Sequence, residues 1–236
     1  MKWKLYIVIF LIISSGIVFY FAAEPTLARE VVFVSRVIDG DTLEVLSGDK
    51  IRLLGINTPE KGMANWEEAR LFLEGLVLNR SVEFEFKEID KYGRWLGYVF
   101  IGSENINKLI LSNGLAHLYV YEEDKWYDEL ASAEEFARMN ELGIWKKSLL
   151  SGCIKLVELK YEEDGGRCID GERLILSNSC GFSVDVLIKD EATHIYHETL
   201  DVGLFEKNFS CVWNDDGDSV FVWEEGDDGL LIFYRY

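Results

Sequence analysis

The chain is short of positive charge. Its 236 residues include 24 Lys and Arg against 42 Asp and Glu, a formal net charge of −18. Residues 151–236 carry 7 basic and 19 acidic side chains, and residues 24–150 carry 15 and 23, so neither part is basic. That deficit excludes a broad cationic face that holds a polyanion by counterion release alone. Any such ligand must be gripped by a few local cations or through a metal. Cysteine is missing from the first 152 residues, and no two of Cys153, Cys168, Cys180 and Cys211 stand in a C-x-x-C pair. A clustered zinc site is therefore excluded. Confinement of all four to one β-rich region points instead to two disulfides in an oxidising compartment. Cys153 precedes one strand and Cys180 follows the next, so an antiparallel pair brings them together; the expected pairing is Cys153–Cys180 with Cys168–Cys211. No EF-hand register accompanies Asp215-Asp216-Gly217-Asp218, which reads as a solvated turn. His194 and His197, three apart on a strand, point to opposite faces and cannot share an ion.

Disorder is excluded by a hydrophobic content of 49% with 14% aromatics, enough to build sizeable cores. Lys2 and Lys4 precede an apolar run, Leu5–Ala23. At about 1.5 Å per residue such a helix nearly crosses a hydrocarbon core of about 30 Å. Its leading cations stay in the cytoplasm and send the remainder outside. Residues 1–23 are thus a transmembrane anchor or, on the rival reading, a signal peptide cleaved near Thr26-Leu27-Ala28. Both place the rest at the cell membrane facing outside, or secrete it. Residues 24–29 form a linker. Residues 30–148 and 149–236 then read as two domains of ordinary size.

In the first domain, strands are expected at Val31–Val37, Thr42–Leu46, Lys50–Leu54, Val82–Lys87 and Trp95–Ile101. Helices are expected at Ala64–Leu78, Asn105–Ser112 and Lys125–Glu141. Three strands in hairpin succession and helices after the third and fifth describe an α+β, five-stranded barrel of OB type, an architecture that commonly binds nucleic acids. In the second domain, seven short strands separated by Gly-, Asp- and Asn-rich turns describe an all-β sandwich. They are Ile154–Tyr161, Glu172–Ser177, Ser183–Lys189, Thr193–Tyr196, Phe209–Trp213, Ser219–Glu224 and Leu230–Tyr234.

Two stretches of the first domain carry chemistry: DGDTLEVLSGDKIRLLGINTPE at Asp39–Glu60, and DKYGR at Asp90–Arg94. Asp39, Asp41, Asn57 and Glu60 supply oxygens of the kind that suit a hard divalent cation such as Ca²⁺. Arg52 and Arg94 supply planar guanidinium forks that suit a phosphate and the charge of its transition state. A carboxylate not used by the metal can activate or orient water. Arg52 lies between Ile51 and Leu53, so strand alternation sends it to the opposite face from theirs. The combination points to metal-assisted attack of water on a phosphodiester.

The DGDT turn, RLLGINTPE, DKYGR, GLAHLYVY and a terminal helix ending in Gly143-Ile144-Trp145 resemble, in order and spacing, the staphylococcal nuclease (thermonuclease) family. The resemblance covers residues 30–147. It implies an OB-fold barrel with three helices, Ca²⁺ dependence, and cleavage of DNA and RNA, single-stranded or frayed, to 3′-phosphorylated products. It makes Asp41, Asn57 and the Thr58 carbonyl metal ligands, Glu60 the general base or water-orienting group, and Arg52 and Arg94 phosphate-binding catalysts. It sets Asp39 beside the metal, Lys91 and Tyr92 at a terminal phosphate, and Tyr119 and Tyr121 at the nucleotide pocket. Asn57 departs from the family's Asp and implies weaker metal binding or another preferred ion, because an amide oxygen brings no charge. The second domain resembles a lamin-tail domain through GERLILSN, VLIKDEATHIYHETL and WNDDGDSVFVWEEGDDGLLIFYRY. That implies an immunoglobulin-like fold with no defined chemistry, suited to an envelope partner. Two alternatives compete with a nuclease: a catalytically weak or inactive nucleic-acid-binding module, and an envelope interaction protein.

Overall fold

The computed structural model describes residues 29–120, 122–161, 171–210, 212–213, 217–226 and 228–236. The apolar run Leu5–Ala23 lies outside them, as do Tyr121, Cys168, Cys211, Asp215 and Asp216. Among the described residues no helix is long and apolar enough to cross a membrane.

The first part winds β1 (Glu30–Asp39), β2 (Thr42–Val45), β3 (Lys50–Leu53), β4 (Gly55–Asn57), α1 (Trp66–Val77), β5 (Ser81–Ile89), β6 (Trp95–Ile101), β7 (Glu104–Asn105), α2 (Ile106–Ser112), β8 (His117–Tyr119) and α3 (Tyr127–Met139). β1 is long enough to serve two neighbours: its start pairs with β5 and its end with β2, and register shifts between Val34 and Arg36 and between Val37 and Asp39 bend it. Such bulges let one strand turn a barrel corner. The order β3-β2-β1-β5-β6 closes on itself through a parallel pairing of β3 with β6, giving the five-stranded closed barrel with three helices. Asn107, fully buried, seals the seam by accepting from the Val99 N–H and donating to the Leu54 and Gly97 carbonyls.

α1 buries Ala69, Leu73 and Val77, a stripe at fourfold spacing, against the barrel core of Leu43, Ile51, Leu53, Phe84 and Val99. α2 begins at Asn105, whose side chain accepts from the Lys108 N–H. It ends in a turn where Gly114, at φ +70, accepts from the Ile144 N–H. A Cβ on Gly114 would stand 2.1 Å from the Leu142 carbonyl oxygen, so this crossing needs glycine. β4, β7 and β8, of two or three residues each, carry too little pattern to be seen in the sequence.

A short 3-10 turn, Gly143–Trp145, leads to β9 (Ile154–Lys160), β10 (Glu172–Asn178), β11 (Val184–Lys189), β12 (Ile195–Leu200), β13 (Gly203–Phe209), β14 (Ser219–Glu224) and β15 (Leu230–Arg235). These form two antiparallel sheets, β13-β10-β9 and β12-β11-β14-β15, around a core that includes Ile154, Leu174, Leu176, Val186, Ile188, Val220, Val222 and Ile232. Cys153 and Cys180 form a disulfide where β9 and β10 run antiparallel. The expected Cys168–Cys211 bond falls outside the described residues.

Two strands sit elsewhere than the sequence suggests. Ile195–Leu200 replaces Thr193–Tyr196, and Gly203–Phe209 replaces Phe209–Trp213. β13 is an edge strand with mostly exposed side chains, so its apolar alternation is weak and its leading glycine reads as a turn.

Candidate active site

Asp41, in the tight turn between β1 and β2, anchors the site. It is 6% exposed, and each of its carboxylate oxygens is engaged. Oδ1 accepts from Thr42 Oγ1 at 2.9 Å; Oδ2 accepts from the Thr58 N–H at 3.2 Å and Thr58 Oγ1 at 3.1 Å. The same Oδ2 lies 3.0 Å from Arg52 Nη2. Arg52 stands opposite Thr42 in the β2–β3 ladder, flanked by fully buried Ile51 and Leu53. Alternation therefore turns it away from the core, as expected. Its Nη1 donates to the Leu53 and Ile56 carbonyls and its Nη2 to Asn57 Oδ1 at 3.2 Å. The guanidinium is thus locked across the start of the Asn57–Glu60 loop.

Two further carboxylates share this patch. Asp39 Oδ1 accepts from the Gly40 N–H at 2.9 Å and from Trp66 Nε1 at 2.7 Å. Burial first, and then the charge of Asp41, raise the Asp39 carboxyl above its usual range. Glu60 is likewise raised by burial, then by Asp39 and Asp41, and is pulled back by the Lys189 ammonium ahead of Arg52. Two carboxyls raised by burial and by neighbouring carboxylates mark a concentration of negative charge.

Arg94 lies just before β6, whose Trp95 pairs with Ile51 in the parallel β3–β6 ladder. Its Nε pairs with Asp90 Oδ2 at 2.6 Å, while Asp90 Oδ1 accepts from the Tyr92 and Arg94 N–H groups and shapes the DKYGR turn. Lys91 and the exposed Tyr92 occupy the turn tip, the Lys91 ammonium 5.1 Å from the Tyr92 ring centre. Tyr119 is 38% exposed on β8, which pairs with β4 and so brings the aromatic ring beside the Gly55–Asn57 segment.

Sequence reasoning missed the second domain's part in this site. The Asp190–Ala192 turn after β11 packs against the barrel. Asn57 Nδ2 donates to the Glu191 carbonyl at 2.9 Å and the Ala192 carbonyl at 3.2 Å. Two carbonyls facing one end of the amide identify that end as nitrogen. Buried His117 lies 3.2 Å by Nδ1 from the Asn57 carbonyl and 2.9 Å by Nε2 from the Glu191 carbonyl. Burial holds its imidazole neutral, well below the usual range, so one N–H must choose between two acceptors. The closer Glu191 oxygen favours the Nε2–H tautomer. The signal in the sequence was the amide at 57: an asparagine donates where an aspartate cannot.

Elsewhere the two parts are fused. Arg235 pairs with buried Glu134 at 2.6 Å, Trp223 Nε1 donates to the Ile144 carbonyl, and Ala137, Ile144, Trp145, Phe221 and Leu230 form a junctional core. His194 and His197 take separate partners, Asp190 and Glu225.

The donor set fits an oxygen-liking cation in part. Asp41, with Asp39 and Glu60 close by, supplies hard oxygens and negative charge that Arg52 and Lys189 only partly offset. Asn57 fits less well: its N–H groups go to the second domain and its oxygen to Arg52. Among the described residues no group of three or more His, Cys, Asp or Glu stands together in ligating geometry.

The closed five-stranded barrel with three helices fits an OB-fold. Residues 50–147 match the staphylococcal nuclease homologue family, and the chain belongs to that family. It is 33% identical to a thermonuclease of Staphylococcus intermedius, over half of this chain and 77% of that protein. It is 34% identical to endonuclease YncB of Bacillus subtilis (52% of this chain, 68% of that protein) and to a micrococcal nuclease of Shigella flexneri (48% and 71%).

Proposed function

We propose that this chain is an exported, Ca²⁺-dependent nuclease that hydrolyses phosphodiester bonds of DNA and RNA, single-stranded or frayed, to 3′-phosphorylated products. The observation that carries the reading is the Asp41–Arg52–Thr58 network beside Glu60, in a chain of the nuclease family. Asp41 and the Thr58 carbonyl would hold the ion, which supplies Lewis-acid polarisation and charge neutralisation at the phosphoryl group. Arg52 and Arg94 bind phosphate oxygens and stabilise the charge that develops on them; Arg94 must exchange Asp90 for substrate to do so. Glu60 orients water and takes its proton, a task helped by a proton affinity that burial and two carboxylates raise. Asp39 would stand beside the ion. Lys91 and Tyr92 contact a terminal phosphate, and Tyr119 with Tyr121 stacks on the bases, which tolerates any sequence.

Export rests on the Leu5–Ala23 run, as anchor or signal peptide, and agrees with the Cys153–Cys180 disulfide. The β-sandwich is read as a lamin-tail-like, immunoglobulin-like domain available to an envelope partner. The net acidity favours a second reading, an envelope interaction protein whose partner is cationic or bridged by Ca²⁺ rather than a nucleic acid. Cleavage of single-stranded DNA by the purified chain, with Ca²⁺ and with chelator, decides between them. Glu60→Gln should lower the rate about 10²-fold or more, and Arg94→Ala by a similar factor. Cleavage that ignores chelator, or survives both substitutions, rejects the nuclease mechanism.

A further inference from the structure

The Asp190–Ala192 turn is built to be held. Its own side supplies an internal frame: Asp190 Oδ1 accepts from the Ala192 and His194 N–H groups, and the Glu191 N–H donates to Asp218. Lys189, 2% exposed, donates its ammonium to the Asp190 and Ala192 carbonyls at 3.0 and 2.6 Å. The Glu191 carbonyl is left for the barrel, where the Asn57 amide and the His117 ring both reach it. His117 is in turn seated edge-on against Phe221 of β14, with ring centres 4.8 Å apart. Polar groups buried at such a contact are costly to leave unpaired, so these bonds specify one docked position.

The barrel side of this contact is the residue that opens the Asn57–Glu60 loop. Arg52 and Asp41 hold that loop from within the barrel, through Asn57 Oδ1 and the Thr58 N–H and hydroxyl. The second domain holds the start of the same loop through the Asn57 amide nitrogen.

We propose that Asn57 and His117 are positioning residues that dock the Asp190–Ala192 turn, and that this docking fixes the Asn57–Glu60 loop, so that the second domain is a working part of the nuclease site. The inference rests on the proposed nuclease reading for its catalytic consequence and on the contacts alone for the docking. Asn57 therefore acts through the second domain. Its amide is required because it donates; a carboxylate would face two carbonyl oxygens and stand near Asp41 with nothing to give.

The test uses the full chain and two variants. Asn57→Asp removes both donors. His117→Phe keeps a ring against Phe221 while removing both polar contacts, and so remains informative if the first variant folds poorly. Amide exchange followed by NMR should accelerate about tenfold or more at Glu191 and at Thr58, whose N–H bond to Asp41 reports the order of the loop. With a short single-stranded oligonucleotide, kcat should fall about tenfold while KM stays within about twofold, since the phosphate-binding arginines are untouched. Unchanged exchange at Glu191 and Thr58 in folded variants overturns the proposal. So does Asn57→Asp chain that binds Ca²⁺ more tightly by calorimetry with the dock intact, because residue 57 would then be a ligand and no dock. If the unaltered chain does not cut DNA, the nuclease reading fails, while exchange at the two amides still decides whether the second domain orders the loop.

Discussion

Phe221→Ala at the junction tests whether the two parts fold as one. Phe221 is fully buried, and its ring lies 4.8 Å from His117, 5.9 Å from Trp145, 5.0 Å from Trp223 and 5.1 Å from Phe233, centre to centre. Truncating a buried phenylalanine removes its transfer free energy and leaves a cavity, together about 3–5 kcal/mol. The upper half of that range applies, because four aromatic neighbours on both sides of the junction lose their partner and rigid rings collapse poorly into the space. For a chain of this size each kcal/mol moves Tm by roughly 2–4 °C, so a fall of about 8–20 °C is expected. Urea unfolding followed by tryptophan fluorescence is the direct assay, since Trp145 and Trp223 sit on opposite sides of the contact. If the barrel and sandwich are one cooperative body, a single transition moves as a whole. A loss under about 1 kcal/mol, or a barrel transition that stays in place while a second one shifts, refutes the argument.

Glu191 supplies a pH dependence. Its carboxyl is raised to about 7, by burial first and then by Asp218, with Arg235 and the Ser219 hydroxyl opposing. The folded state therefore holds the proton more tightly than the unfolded chain, so this stability is full below about pH 4.5 and is lost as pH rises through 7. Because the side chain is partly exposed, the loss is at most about 2 kcal/mol. Glu191→Gln should flatten the fall in Tm between pH 5 and 8; an unchanged slope removes Glu191 as its source. Replacing Cys153 and Cys180 together by serine opens a bridge across a sequence separation of 27. It should lower stability by about 3.5 kcal/mol on the loop-entropy model, measured by urea denaturation against the oxidised chain. A change under about 1 kcal/mol would show that the unfolded chain is already constrained there.

Much of the first domain was legible because its signals are local. Alternation around Arg52, the Ala69, Leu73 and Val77 stripe, and the Asn113-Gly114 stop each depend on neighbours within a turn or two. The succession of strand and helix patterns along the chain was enough to predict the barrel. In the second domain Gly203–Phe209 was missed because an edge strand with one lightly buried face leaves little alternation to read. The disulfide between Cys153 and Cys180 was legible because its two half-cystines flank one antiparallel pair.

By itself the sequence determined that Asp41, Arg52, Thr58 and Glu60 come together, since they are placed by a meander of short-range hairpins and a fixed loop. Tertiary structure alone decided what surrounds them. Asn57 to Glu191 spans 134 residues and His117 to Glu191 spans 74, distances at which no periodicity in the chain carries information. What joins them is the packing of Phe221, Trp145 and Trp223 at the junction, which sets one domain against the other and brings the Glu191 carbonyl to the Asn57 amide.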